Sequence, residues 1–228
     1  MTPVAMPDRS SRPKLLPAWR SCLSDPRFRW EIAVTLPALV VVLGLLASFL
    51  KHIEKRPGVA LPDPVLALVP PVDLTWLTFT LIYLGLVIAV IVLSRSPSAL
   101  LIAVQSYVVM VLFRIVAMYL VPLEPPATMI ALVDPTVETF GTGTTLTKDL
   151  FFSGHTSTLF LLFLASPGRL WKAIFLSCAI AVGGAVLLQH VHYAIDVFAA
   201  PFFAFGAFTV VKRVRSRILG PGPQGQHQ

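Results

Sequence analysis

Charge is what this sequence has least of. Asp, Glu, Lys and Arg make up 13% of its 228 residues, against 56% that are hydrophobic. Ordinary globular chains carry about 25% charged residues, so a soluble domain of this length would lack the polar surface it needs. Cysteine is scarce as well. Cys22 falls in the amino-terminal arm and Cys178 inside an apolar stretch; this excludes a disulfide framework and leaves two inert thiols. A secretory signal is missing: the first 29 residues are rich in Pro and Arg and have no compact apolar core before a small-residue cleavage site. A phosphate loop is missing too. Gly141 and Gly143 are not followed by the Gly-Lys-Ser/Thr step that such loops need, and read as loop flexibility.

What is abundant is hydrophobic sequence of membrane length. Glu31–Leu50, Asp73–Leu93, Ser98–Val121, Arg169–Gln189 and His192–Val211 are each long enough to cross about 30 Å of hydrocarbon. Thr156–Ala165 is shorter and becomes a sixth span if its helix starts near Phe151. The expected fold is therefore an all-α integral membrane protein with a six-transmembrane-helix bundle. It would comprise a basic arm (1–29), one catalytic membrane domain (30–213) and a Gly/Pro/Gln-rich tail (214–228) expected to be disordered.

Lys and Arg give that bundle an orientation. Arg9, Arg12, Lys14, Arg20, Arg27 and Arg29 lie in the arm, Arg95, Arg169 and Lys172 in two turns, and Lys212, Arg213, Arg215 and Arg217 at the carboxyl end. The other side holds only Lys51, Lys55, Arg56 and Lys148, with Arg114 inside a span. The positive-inside rule then predicts cytoplasmic termini. The sequence pI of 9.9 reads as topology and contact with anionic lipid, not as nucleic-acid binding.

Two motifs carry the chemistry: SGHT at Ser153–Thr156 and HYAID at His192–Asp196. Titratable groups beside membrane-length apolar runs are costly and mark function. With six spans, both motifs fall on the non-cytoplasmic side; without the fourth span they would lie on opposite faces. Ser153 can cap a helix and Gly154 lets a ligand approach its backbone, where the helix dipole favours an anion such as phosphate. His155 beside it could protonate a leaving oxygen. His192 and Asp196, four apart, share a helix face. The carboxylate can hold one ring nitrogen as N–H and leave the other to attack phosphorus. This scheme calls for no metal and no cofactor.

These residues resemble the type-2 phosphatidate phosphatases, which share a six-helix core, an SGH segment and a His-x-x-x-Asp segment. The likeness narrows to the sphingomyelin synthase branch and its bacterial relatives. Leu61–Trp76 looks like that branch's PLPD region, and Phe113–Pro126 like its Arg-containing stretch. Lys148–Thr156 and Leu187–Val197 look like its two catalytic segments. The resemblance implies a nucleophile at His192, its activator at Asp196, an acid–base group at His155 and a nearby acidic residue at Asp149. Two departures stand out. Val186 occupies the place of an arginine in the phosphatase branch, and Thr147 and Lys148 stand where the synthase branch has Cys-Gly.

Plainer readings stand beside these. Either histidine alone could be an ordinary helix-end residue. Asp149 could cap a helix, and Arg114 could snorkel or pair structurally instead of binding phosphate. Glu124, Asp134 and Glu138 read as solvated loop residues, with Glu138 the nearest to SGHT. His52 and His190 read as bystanders, and Gly183–Gly184 as a close helix contact.

Together the residues imply a lipid head-group phosphotransferase of the inner bacterial membrane with its site on the non-cytoplasmic face. His155, His192 and Asp196 would be catalytic, and Ser153, Gly154, Arg114, Asp149 and Tyr193 would bind substrate. The partners would be a phospholipid donor, a lipid acceptor such as ceramide and the membrane itself; a homo-oligomer stays open. A lipid phosphate phosphatase using water, and a non-catalytic lipid carrier or flippase, are the alternatives.

Overall fold

The computed structural model describes residues 15–133 and 146–219. Arg9, Arg12, Lys14, Asp134, Glu138, Gly141, Gly143 and the tail beyond Leu219 lie outside the described residues.

Among the described residues there are seven α-helices and no strand: α1 (Leu15–Ser24), α2 (Pro26–Glu54), α3 (Thr75–Leu93), α4 (Pro97–Leu120), α5 (Gly154–Ala165), α6 (Gly168–Leu188) and α7 (Ala194–Leu219). Helix starts follow local chemistry. Asp25 accepts a hydrogen bond from the Arg27 N–H at 2.9 Å ahead of Pro26, and Pro97 opens α4. Thus α2 begins inside the stretch expected to be a basic arm. Helix α7 likewise runs past residue 213, where the tail was expected to begin.

Five helices, α2, α3, α4, α6 and α7, are long and apolar enough to cross a membrane. They fit an integral multi-pass membrane protein. The outward faces agree: Val40, Ile180 and Phe202 are 70%, 68% and 64% exposed, an arrangement that needs an apolar surrounding.

The expected sixth span takes another form. Helix α5 has 12 residues, about 18 Å of rise, and begins at Gly154 instead of near Phe151. The preceding residues are held in non-helical form by their anchors: Leu150 and Phe152 are buried, and the Phe152 ring stacks on Phe203 at 4.1 Å. Helix α5 is instead wrapped by α3, α4, α6 and α7. Leu159 and Leu161, at 0% and 2% exposed, face protein on its sides, so it does not need the length of a lipid-facing span.

Small residues bring the helices together. Ala200, Ala204 and Ala207 on α7 pack with Met110 and Ala117 of α4 and Leu161 of α5. A Cβ on Gly183 would come within 3.0 Å of Val197, the close contact expected of that glycine, while Gly184 faces open space. With consecutive helices antiparallel, the starts of α3, α5 and α7 share one end of the bundle with the ends of α2, α4 and α6. The linkers fold over that end. Val59 bridges Leu123, Val72 N–H donates to Leu188 O at 2.8 Å, and Ile130 N–H donates to Gln189 O at 3.1 Å.

Candidate active site

Both motifs arrive at the same end of the bundle: His155 on the first turn of α5, Asp196 on the first turn of α7, and His192 in the bend before Ala194, so His192 and Asp196 do not share the helix face that their spacing predicts. Ser153 caps α5, its hydroxyl accepting from the Thr156 N–H at 3.4 Å. The Ser153 N–H donates to Asp196 O at 3.1 Å, so one backbone bond ties the two motifs. The His155 and His192 ring centroids lie 6.3 Å apart, edge to face. Two rings 37 residues apart in sequence are thus neighbours in the fold.

His192 and Asp196 are buried, 1% and 0% exposed. The His192 Nδ1 lies 3.3 Å from Asp196 Oδ2, and the same oxygen accepts from the Tyr193 N–H at 3.1 Å. A carboxylate on Nδ1 makes that nitrogen the N–H and leaves the Nε2 lone pair for chemistry. Phe79 sits edge-on to the His155 ring at 6.3 Å.

Arg114 reaches this end of the bundle from α4 and is only 4% exposed. Its Nη1 donates to Phe152 O at 2.5 Å, and its Nη2 pairs with the Asp149 carboxylate. A Cβ at Gly154 would come within 2.7 Å of the Arg114 Cζ. Glycine is therefore what allows the guanidinium to lie against the start of α5, where positive helix dipole and cation reinforce each other. Of the two readings of Arg114, the structural pair is present in this geometry. Asp149 is drawn two ways. Burial pushes its carboxyl up, but the Arg114 charge and hydrogen bond, with His192 and His155 nearby, hold it below the usual range.

Tyr193 has a different position from a substrate-facing residue. Its ring is 2% exposed, and its hydroxyl donates to Glu124 O at 2.9 Å while accepting from the Leu61 N–H at 3.2 Å. The hydroxyl of Ser153 is likewise spent inside its own turn.

Several residues at this end carried no assigned role in the sequence. Asp63, in the PLPD-like segment, accepts from the Ala194 N–H at 2.6 Å and so fixes the start of α7 from 131 residues away. Its other oxygen accepts from Val65 and Leu66. Glu54, at the end of α2, accepts from Thr147 and Lys148, the two positions that depart from the synthase pattern. Glu124 is a partly exposed loop residue, and it is also engaged. It takes the Lys148 ammonium at 2.7 Å and the Gly58 N–H at 2.8 Å, and these, in that order, hold its carboxyl below the usual range. Local motifs could not reveal such ties, though an Asp between two prolines was a visible signal at Asp63.

Val186, where the phosphatase branch has arginine, is 0% exposed and packs with Leu159, Phe175 and Val182. That position belongs to the core. Among the described residues, no three His, Cys, Asp or Glu are grouped to hold a metal ion.

No curated protein matches this chain. Residues 148–213, which hold SGHT, HYAID and most of the helices carrying them, match the family model described as PAP2 superfamily C-terminal. The match supports the type-2 phosphatidate phosphatase superfamily and, in general terms, an enzyme of the lipid phosphatase or phosphotransferase type.

Proposed function

We propose that the protein moves a phosphate-linked head group from a glycerophospholipid to a lipid alcohol through a phosphohistidine. The carrying observation is the His192–Asp196 bond with the His155 ring 6.3 Å away. The Nε2 lone pair of His192 attacks phosphorus, and the bond to the diacylglycerol oxygen breaks. Protonated His155 gives its proton to that oxygen, so diacylglycerol leaves and the head-group phosphate stays on His192. A lipid alcohol such as ceramide then attacks phosphorus. The P–N pair returns to His192 and the alcohol proton passes to His155. Arg114 and the first amides of α5 offset the negative charge that builds on the phosphoryl oxygens.

Charge counting supports a site on the non-cytoplasmic face with cytoplasmic termini, and the likeness to bacterial relatives of the synthase branch supports a bacterial inner membrane. The aliphatic surroundings of Val186 favour transfer over the simple phosphatase reaction, which uses water at the same histidine. The donor tests this. Purified protein in liposomes should release diacylglycerol from an intact glycerophospholipid and leave its phosphorus label on His192. Free phosphate from phosphatidate, with no diacylglycerol from intact lipid, would give the phosphatase. An unlabelled His192 with no change in any lipid would give the carrier.

A further inference from the structure

At the end of the bundle away from the histidines, a groove runs between α2, α4 and α7 and encloses about 570 Å³. That volume lies in the range of small-molecule sites. The lining changes character along its length. Near the start of α2 and the end of α7 it is polar, with Arg27, Glu31 and Arg215. Farther into the bundle it is aliphatic, with Ala38, Val108 and Val211 in its walls. Arg27 and Ala38 lie three turns apart on α2, about 16 Å of rise. One leaflet contributes about 15 Å of hydrocarbon, so the groove has the depth of a single acyl layer. It is open on its side. Trp30, Val34 and Ile218 line it and are 71%, 58% and 73% exposed. Tryptophan favours the boundary between membrane and water, which sets the polar end at head-group level.

The charges at that end do not balance. Arg215 is paired with Glu31, and Gln105 bonds to both and to Thr35. The lining's carboxylate is thereby neutralised. Asp25, the other acid on these turns, caps α2 by accepting from the Arg27 N–H. The Arg27 guanidinium has no ion-pair partner among the described residues. Around it the same turns of α2 and α7 carry Arg29, Lys212, Arg213 and Arg217, all exposed.

We propose that this groove binds one anionic phospholipid of the adjoining leaflet, with an acyl chain along the aliphatic wall and the phosphate on Arg27. The chemistry selects that class. A zwitterionic lipid brings its own ammonium to a surface where cations already outnumber acids, and gains less there. A soluble anion leaves the apolar wall uncovered. A second copy of the chain brings the same excess of cations against itself, which opposes association. The inference stands apart from the reaction proposed above, because groove and histidines lie at opposite ends of the bundle.

The test uses full-length protein in phosphatidylcholine nanodiscs in which a minor fraction of the lipid has brominated chains, which quench a neighbouring indole. Brominated phosphatidylglycerol should quench more than brominated phosphatidylcholine at the same fraction, and Trp30→Phe should remove the excess. Arg27→Gln should lower the preference for phosphatidylglycerol about fivefold, the scale of one basic residue at an anionic surface. Arg29→Gln removes the same charge outside the groove and should change it less than about twofold. Equal quenching by the two lipids overturns the proposal. Equal falls in the two arginine variants also overturn it, since the attraction would then belong to the basic surface as a whole. Native mass spectrometry from detergent gives a readout without fluorescence. The parent protein should retain one phosphatidylglycerol, and Ala38→Phe, which fills the aliphatic part, should retain none. Parent chains that carry no lipid overturn the proposal, whether they fly singly or as pairs; lipid-free pairs would put a second copy in the groove.

Discussion

The two ends of the bundle use buried polar groups in different ways. At the end carrying the histidines, side chains pair with one another, as Arg114 with Asp149 and Lys148 with Glu124, and also reach backbone across the linkers: Asp63 to Ala194, Arg114 to Phe152, Gln189 to Leu74 and Ile130, Tyr193 to Glu124. At the opposite end, side chains mainly reach one another. Arg215 of α7 pairs with Glu31 of α2, Gln105 of α4 links both, and Thr35 completes the set. A cavity of about 570 Å³ lies beside that network, between α2, α4 and α7. Side-chain-to-backbone bonds fix where loops run, so they set the positions of the two histidines. Side-chain pairs between helices hold α2 against the bundle and set its stability. One end is built for placement, the other for cohesion.

The sharpest way to break this comparison is to remove the carboxylate beside His192 in the proposed catalytic pair. Asp196→Asn keeps the shape but takes the negative charge from His192 Nδ1. Turnover should fall on the order of 10³–10⁴-fold, as when a histidine loses its orienting carboxylate. The variant should still elute as folded protein. A fall no larger than that of a variant at the other end would erase the distinction.

The next effect belongs to the cohesive end. The side chains of Arg215 and Glu31 are only 16% and 19% exposed, so Arg215→Ala leaves a carboxylate with little water and no cation. A loss of about 1–3 kcal/mol is expected, read as a lower unfolding midpoint in detergent. Turnover per folded molecule should stay the same. Lost turnover at full stability would show instead that this end communicates with the histidines.

The same contrast explains what could be read in the sequence. His155, His192 and Asp196 stand in short local patterns legible from residue type, although His192 reaches Asp196 from the bend before α7 and not from a shared helix face. Five apolar spans follow from composition alone. Helix α5 was harder, because a hydropathy run does not record that Leu150 and Phe152 are anchored in the core, nor that four helices shield Leu159 and Leu161. Asp63, Glu54 and Gln189 were harder still. Each serves a backbone group more than 90 residues away, and no local pattern encodes a partner that only folding supplies. The pairing of Glu124 escaped notice for the same reason, its Lys148 partner lying across the linker.

The smallest effect tests the placement end through pH. Asp149 has its ordinary pKa near 3.8 lowered in the folded protein, burial opposing and Arg114 outweighing it. A depressed carboxylate adds stability that is complete above its unfolded value and is lost as pH falls through the folded value. The unfolding midpoint of the parent protein should therefore exceed that of Asp149→Asn by a constant margin from neutral pH down to about pH 4. Below that, the margin should close as Asp149 takes up its proton and releases Arg114. The sign matters because burial alone predicts the reverse order. If burial outweighed Arg114, the folded carboxyl would protonate first, and the gap would begin to close near pH 6. A margin that holds to pH 4 means that Arg114 is committed to Asp149 and Phe152 throughout the working range and stays at the start of α5.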